Sequence, residues 1–209
     1  MKLPLSGVVI LLAACTAEVK DPGDERMGNF EFTVRPLEIS CPFDEADAGV
    51  VGFTGFTGRF SRNHDGSAAW LTLGVISRPA TFDGQVIDST VSAVRRFTSP
   101  RQPDGGLVPL SDGGICLCGQ KTQLVETLRV ALLSTSQFAA AQGSCPANPL
   151  DGGVPAPDGG VLAPGTTDAG FDALAACGEL TDLMVPGDDA QCPECAGCRM
   201  RYQVDGIRR

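Results

Sequence analysis

Apolar and polar residues alternate with a period of two through much of this chain. In Asn29–Arg35, Phe30, Phe32 and Val34 interleave with Asn29, Glu31, Thr33 and Arg35. Such alternation predicts a strand with one buried and one wet face. Pro36 interrupts it, and Leu37, Ile39 and Cys41 resume it weakly, as at a sheet edge or a bulge. Val50–Ser61 contains the echo Gly52-Phe53-Thr54-Gly55-Phe56-Thr57-Gly58 and reads as a curved strand. No Lys-Ser/Thr and no helix pattern follow it, so it is a poor phosphate loop. Asn63-His64-Asp65-Gly66 is a turn signal. Ala68–Ser77 then reads as one strand, Asp83-Gly84 as a turn, and Gln85–Thr98 as a third strand with Ile87, Val91, Ala93 and Phe97 on one face. Strands joined by short turns predict an antiparallel meander.

The second half is less regular. Ser99–Gly114 is a loop with three prolines and two Asp-Gly-Gly triplets. In Thr122–Ser134, Leu124, Leu128 and Leu132 fit helical spacing as well as strand spacing, and Glu126 and Arg129 would pair on a helix. A strand over Val125–Leu133 is favoured. A short helix over Ser136–Gln142 follows, capped by Ser134 or Thr135 and ended by Gly143. Pro146–Gly170 is 11 parts Pro and Gly in 25 residues, a composition that cannot bury enough apolar surface to order itself. Phe171–Val185 has near-helical apolar spacing: Phe171, Leu174, Ala175, Leu180, Leu183 and Met184. Arg199–Asp205 is a closing strand with Met200, Tyr202 and Val204 on one face.

The expected fold class is therefore mainly β. Five or six antiparallel strands form a meander, a curled sheet or a small barrel or sandwich, with one or two short helices and long Gly/Pro loops. Pairing of a first strand near residue 30 with a last near residue 200 would close the sheet.

The first fifteen residues depart from this pattern. Lys2 precedes an apolar run through Gly7-Val8-Val9-Ile10-Leu11-Leu12, then Ala13-Ala14-Cys15. The run is shorter than the roughly 20 residues a membrane helix needs, and its layout is that of a secretory signal. Leu12-Ala13-Ala14-Cys15 resembles the lipobox of bacterial lipoproteins. That resemblance implies cleavage before Cys15 and acylation of its sulfur. Thr16, rather than Asp, follows the cysteine, which leans toward the outer membrane. The implied division is a signal peptide over residues 1–14, a lipidated Cys15 with a flexible tether over 15–28, and a single domain over 29–209 with a disordered loop at about 146–170.

Charge narrows the partners. The formal net charge is −9 over 209 residues, and −10 once Met1–Ala14 is removed. No basic run favours nucleic acid. Arg199, Arg201, Arg208 and Arg209 form a local positive cluster at the end, read as a solvated face and tail. The expected partners are a membrane reached through the lipid, and a protein or apolar ligand. No cofactor is implied.

Eight cysteines remain besides Cys15: Cys41, Cys116, Cys118, Cys145, Cys177, Cys192, Cys195 and Cys198. An even count in an exported chain points to disulfides, with 105 possible pairings. Cys192-Pro193-Glu194-Cys195-Ala196-Gly197-Cys198 also has metal-ligand spacing, and Cys116-Leu117-Cys118 could add a fourth thiolate. A redox Cys-x-x-Cys is a further reading, without the βαβ context that supports one. The Asp-Gly-Gly triplets and Asp188-Asp189 each offer too few oxygens at short spacing for a calcium loop. The lone His64, beside Asp65 on a turn, leaves little for a nucleophile–base pair. The chain reads as an exported, lipid-anchored binding or structural protein rather than an enzyme. A metal-binding or redox thiol protein on Cys192, Cys195 and Cys198 is the alternative, and a carboxylate-based hydrolase a third.

Overall fold

The computed structural model describes residues 21–40, 54–66, 68–94, 106, 123–146, 150, 154–155, 161–162, 173–187 and 197–209. Its strands are β1 (Glu25–Ile39), β2 (Gly55–Arg62), β3 (Ala69–Leu73), β4 (Ile76–Phe82), β5 (Val86–Val94) and β6 (Gln123–Ser134). After a helix α1 (Thr135–Ala140) come a two-residue pair, β7 (Val154–Pro155) and β8 (Val161–Leu162), and then β9 (Ala173–Val185) and β10 (Cys198–Arg208). Eight of these close into an antiparallel barrel in the order β1-β10-β9-β6-β5-β4-β3-β2. Apart from the β7–β8 excursion, each strand pairs with its neighbours in sequence, and β1 pairs with β10 to seal the ring.

The mainly β class, the antiparallel meander and the closure of the first strand on the last are all present. Three local expectations change. Ala68–Ser77 is two strands, because Gly74 takes φ +60° and opens a two-residue loop between Leu73 and Ile76. Glycine supplies that positive φ at no steric cost, the requirement of a tight hairpin. Phe171–Val185 is not helical: Ala173–Val185 is strand β9, flanked by β6 and β10. Its first half is buried on both faces, so its apolar residues blur the period of two. Finally, β1 starts at Glu25 rather than near residue 29. Met27 is fully buried, and Asp21 pairs with Arg26 at 3.0 Å and Arg59 at 3.1 Å, so the segment read as tether from Asp21 onward belongs to the barrel.

Register defines the inside. Phe30, Phe32 and Val34 of β1, Phe60 of β2, Leu71 of β3, Ile87 of β5, Leu128, Val130 and Leu132 of β6, and Val204 of β10 are all buried in one cluster. Phe32 stacks on Phe56 with centroids 4.5 Å apart and meets Phe60 edge-on at 6.1 Å. Gly206 makes room for this aromatic packing, since a Cβ there would lie 2.5 Å from the Phe32 ring. The short eight-strand interior is thus filled by side chains over much of its depth.

The outer face is charged along most strands, with Glu31, Arg35, Arg59, Asp88, Arg129, Glu179, Arg201 and Asp205 facing away from the core. That is the reverse of the apolar band that a membrane-spanning barrel turns to lipid. Among the described residues, no helix is long and apolar enough to cross a membrane. One outer patch is apolar and covered. Val86, Ala131, Leu133, Ala175 and Cys177 pack beneath Phe138, Cys145 and Leu150. The Cys145–Cys177 disulfide fixes this cover to β9. Helix α1 above it carries the expected cap: Ser134 Oγ accepts from Gln137 N, and Gln137 Oε1 accepts from Ser134 N. Two reciprocal bonds satisfy donors that the first turn would leave open.

Candidate functional site: a charged end of the barrel interior

Most inward positions are apolar; the polar exceptions are Ser89, Arg62 and Arg208, together with three charged residues that lie close to one another. Arg78 lies between Ile76 and Ala80 on the inward row of β4, Glu126 between Leu124 and Leu128 on β6, and Asp182 between Leu180 and Met184 on β9. Glu126 and Asp182 are register partners, and Asp182 is also the register partner of Met200 on β10. The Arg78 guanidinium reaches past β5 to donate to Glu126 Oε1. The charges therefore gather at one level of the barrel, near the end that holds the Gly74 turn.

Their environments differ. The side chains of Arg78 and Glu126 keep about a quarter of their surface exposed, at 25 % and 27 %. Asp182 is only 9 % exposed, and its Oδ1 has no hydrogen-bond partner among the described residues. Burial pushes the Asp182 carboxyl up to about 6, and the nearby Glu126 carboxylate adds to the rise against the opposing pull of Arg78. Tyr202, whose hydroxyl donates to Met200 Sδ at 3.4 Å, is raised by burial and by Asp182. Beyond this level the inward row opens to solvent: Ala93 is exposed, Ile76 is 61 % exposed, and Leu124 and Met184 are half-buried.

The opposite end carries a second polar cluster, at the surface. His64 sits in the expected turn. Its backbone N donates to Asp24 Oδ1 at 2.8 Å, and its Nδ1 pairs with Glu25 Oε1. The hydrogen bond to Glu25 raises the His64 pKa, and the same bond holds Glu25 below its ordinary value. Arg62 donates to Glu25 at 3.1 Å and lies 5.5 Å above the Phe82 ring. His64 has no nucleophile in this set, so the cluster ties the start of β1 to the β2–β3 turn.

On the outside, a groove of about 500 Å³ runs between the end of α1 and β10, lined by Phe138, Cys145, Ile207, Arg35, Gln203 and Asp205. Its charges are already matched: Arg35 pairs with Asp205, and Gln203 donates to the same carboxylate at 3.0 Å.

Of the residues singled out by sequence, Cys145 and Cys177 are joined, with Cα atoms 5.4 Å apart. Cys198 is also disulfide-bonded, to a cysteine outside the described residues. In that state it offers no thiolate to a metal. Cys15, Cys41, Cys116, Cys118, Cys192 and Cys195 lie outside the described residues, as do Asp188-Asp189 and the aspartates of the Asp-Gly-Gly triplets. The terminal arginines do not converge. Arg201 chelates Glu179 at 2.8 Å, Arg209 bonds Glu31 at 2.8 Å, and Arg208 donates to the Ala173 carbonyl at 3.2 Å. Glu126 does not pair with Arg129. The two fall on opposite faces of β6, where Arg129 approaches Asp88 at 3.8 Å.

The Arg78, Glu126 and Asp182 set was not anticipated. Its signal is present in the sequence, however, as a charge on the apolar parity of three strands. No protein-family model, curated protein or solved structure matches this chain.

Proposed function

We propose that this is an exported, lipid-anchored binding protein of the bacterial envelope, held near the outer membrane through Cys15.

 The carrying observation is the charged level inside a mostly apolar barrel, where one oxygen of a buried carboxylate lacks a hydrogen-bond partner. Stability alone disfavours such a group, because an unpaired buried polar atom costs about 1–3 kcal/mol. Closed eight-stranded barrels have interiors able to hold one small ligand. A ligand at this end would meet a few convergent polar groups set in apolar walls, the usual make-up of a small-molecule site.

The anchor reading rests on the lipobox-like Leu12-Ala13-Ala14-Cys15 and on the even cysteine count, and the Cys145–Cys177 bond fits an oxidising compartment. Two acyl chains or more would hold the protein firmly, since each buried methylene adds about 0.8 kcal/mol. Five residues, 16–20, separate Cys15 from Asp21, which is built into the barrel. That leash spans at most about 20 Å. The barrel would ride close to the lipid surface. The test is fractionation of cells expressing Cys15→Ser. The substituted protein is expected in the soluble envelope fraction and the parent in membranes. Equal membrane association of both would overturn the anchor.

A further inference from the structure

We propose that the charged end of the barrel binds a ligand that carries an ammonium group on an apolar body, with the ammonium seated against Asp182. The inference rests on the binding reading above and names the ligand class for that same site. Three observations carry it. Glu126 is already engaged by Arg78, so one carboxylate and one guanidinium offset each other. Asp182, 9 % exposed, is left as the surplus charge, with Oδ1 lacking a donor. The side chains around it are apolar and polarisable: Met200 beside it in register, Met184 and Leu180 on its own strand, and Tyr202 close by.

An ammonium supplies both a positive charge and N–H donors, which is what this oxygen lacks. Thioether sulfur and aliphatic walls suit the apolar part. An anionic ligand would meet Asp182 and Glu126 against a single arginine that is already bound. A bare divalent cation such as Ca²⁺ needs six or more oxygens, and two carboxylates, one of them tied to Arg78, fall well short. The other charged clusters are matched, since His64 and Glu25 satisfy one another, as do Arg35 and Asp205, and the remaining unpartnered buried atoms, Asn29 Oδ1 and Ser61 Oγ, belong to uncharged side chains. The charged groups facing Asp182 are Glu126 from β6 and Arg78 from β4, and the titratable but neutral Tyr202 faces it from β10. Its carboxyl titrates near pH 6, so the site holds its full charge only above that pH.

The experiment is calorimetric titration of the full-length chain carrying Cys15→Ser with hexylammonium, hexanol and hexanoate. At about pH 8, hexylammonium is expected to bind at least about tenfold more tightly than the other two. That preference should vanish in Asp182→Asn and weaken at about pH 5, where the carboxyl is protonated. Circular dichroism of the variant checks that it folds. If Asp182→Asn does not fold, the carboxyl resonance of Asp182 in the parent serves instead: added hexylammonium should lower its pKa. Equal binding of hexanol and hexylammonium would overturn the ammonium assignment and leave the binding site standing. Failure of all three to bind would overturn both.

Discussion

The two ends of the barrel interior are built from the same strands and do opposite things. Toward the β2–β3 turn, inward positions include Phe30, Phe60, Leu132 and Ala176, none of them exposed, with Gly206 under the Phe32 ring and Arg62 and Arg208 at the rim. Toward the Gly74 turn, β4, β6 and β9 present Arg78, Glu126 and Asp182, and beyond them Ile76 of β4 and Ala93 of β5 contact solvent. Pairing of β6 with β5 and β9 runs from one end to the other, whereas β4 pairs with β5 only at Thr81–Asp88 and Phe82–Ile87, so the ladder opens toward the charged end. Side-chain choice adds to that difference. One end spends its volume on dispersion and burial. The other gives up apolar contacts and keeps a buried charge, the pattern of a functional site that departs from a local folding rule.

Breaking the packed end should have the largest effect. Phe60 is fully buried, with Phe30 5.5 Å and Phe32 6.1 Å away between ring centroids. Phe60→Ala removes the ring and leaves a cavity that the closed barrel cannot collapse around. The expected loss is about 3–5 kcal/mol in denaturant unfolding. A loss below about 1 kcal/mol would mean that this end is not the packed half.

The charged end should respond in the other direction. The Asp182 carboxyl lies near 6 when folded, against an ordinary value of 3.8. Between those values the folded state keeps a proton that the unfolded chain has released. Stability therefore falls as pH rises from about 4 to 6, and the deficit is complete above that. Two pH units correspond to at most about 3 kcal/mol. Asp182→Asn cannot ionise, so it is expected to be more stable than the parent at about pH 8, by up to about 3 kcal/mol, and equal to it near pH 4. Melting temperatures measured across that range check it. A difference that stays flat with pH would show that Asp182 ionises without cost, and the contrast between the two ends would lose its basis.

Much of the packed end was legible from sequence, and little of the charged end was. Phe30, Phe32 and Val34 alternate cleanly because β1 has one wet face and one dry one. The closing strand with Met200, Tyr202 and Val204 reads equally well. Strand β9 does not, because the α1 cover and the Cys145–Cys177 bond bury its outer face too, and burial on two sides erases the alternation. The Gly74 loop was missed because Gly-Val carries a weaker hairpin signal than Asn-Gly or Asp-Gly. Arg78, Glu126 and Asp182 are far apart in sequence, and only the closed register places them at one level. On β6 the ambiguity was sharper, since Glu126 and Arg129 also fit a helical pair. Each charge, taken alone, looked like an ordinary polar position.

The smallest expected effect tests where the interior stops being a core. Ile76 lies on the inward row beside Arg78 and pairs in register with Leu73, yet it is 61 % exposed. If inward orientation alone made a residue part of the core, Ile76→Thr would cost several kcal/mol, as a buried aliphatic does. Exposure argues otherwise. Threonine keeps the β-branch that suits a strand, and the lost methyl groups were largely in water already. The expected change is within about 0.5 kcal/mol in denaturant unfolding. A loss above about 2 kcal/mol would show that side chains close over Ile76 and that the charged level is sealed rather than open. A null result, beside the large loss at Phe60, would place the boundary between packed core and open end at the level of Arg78.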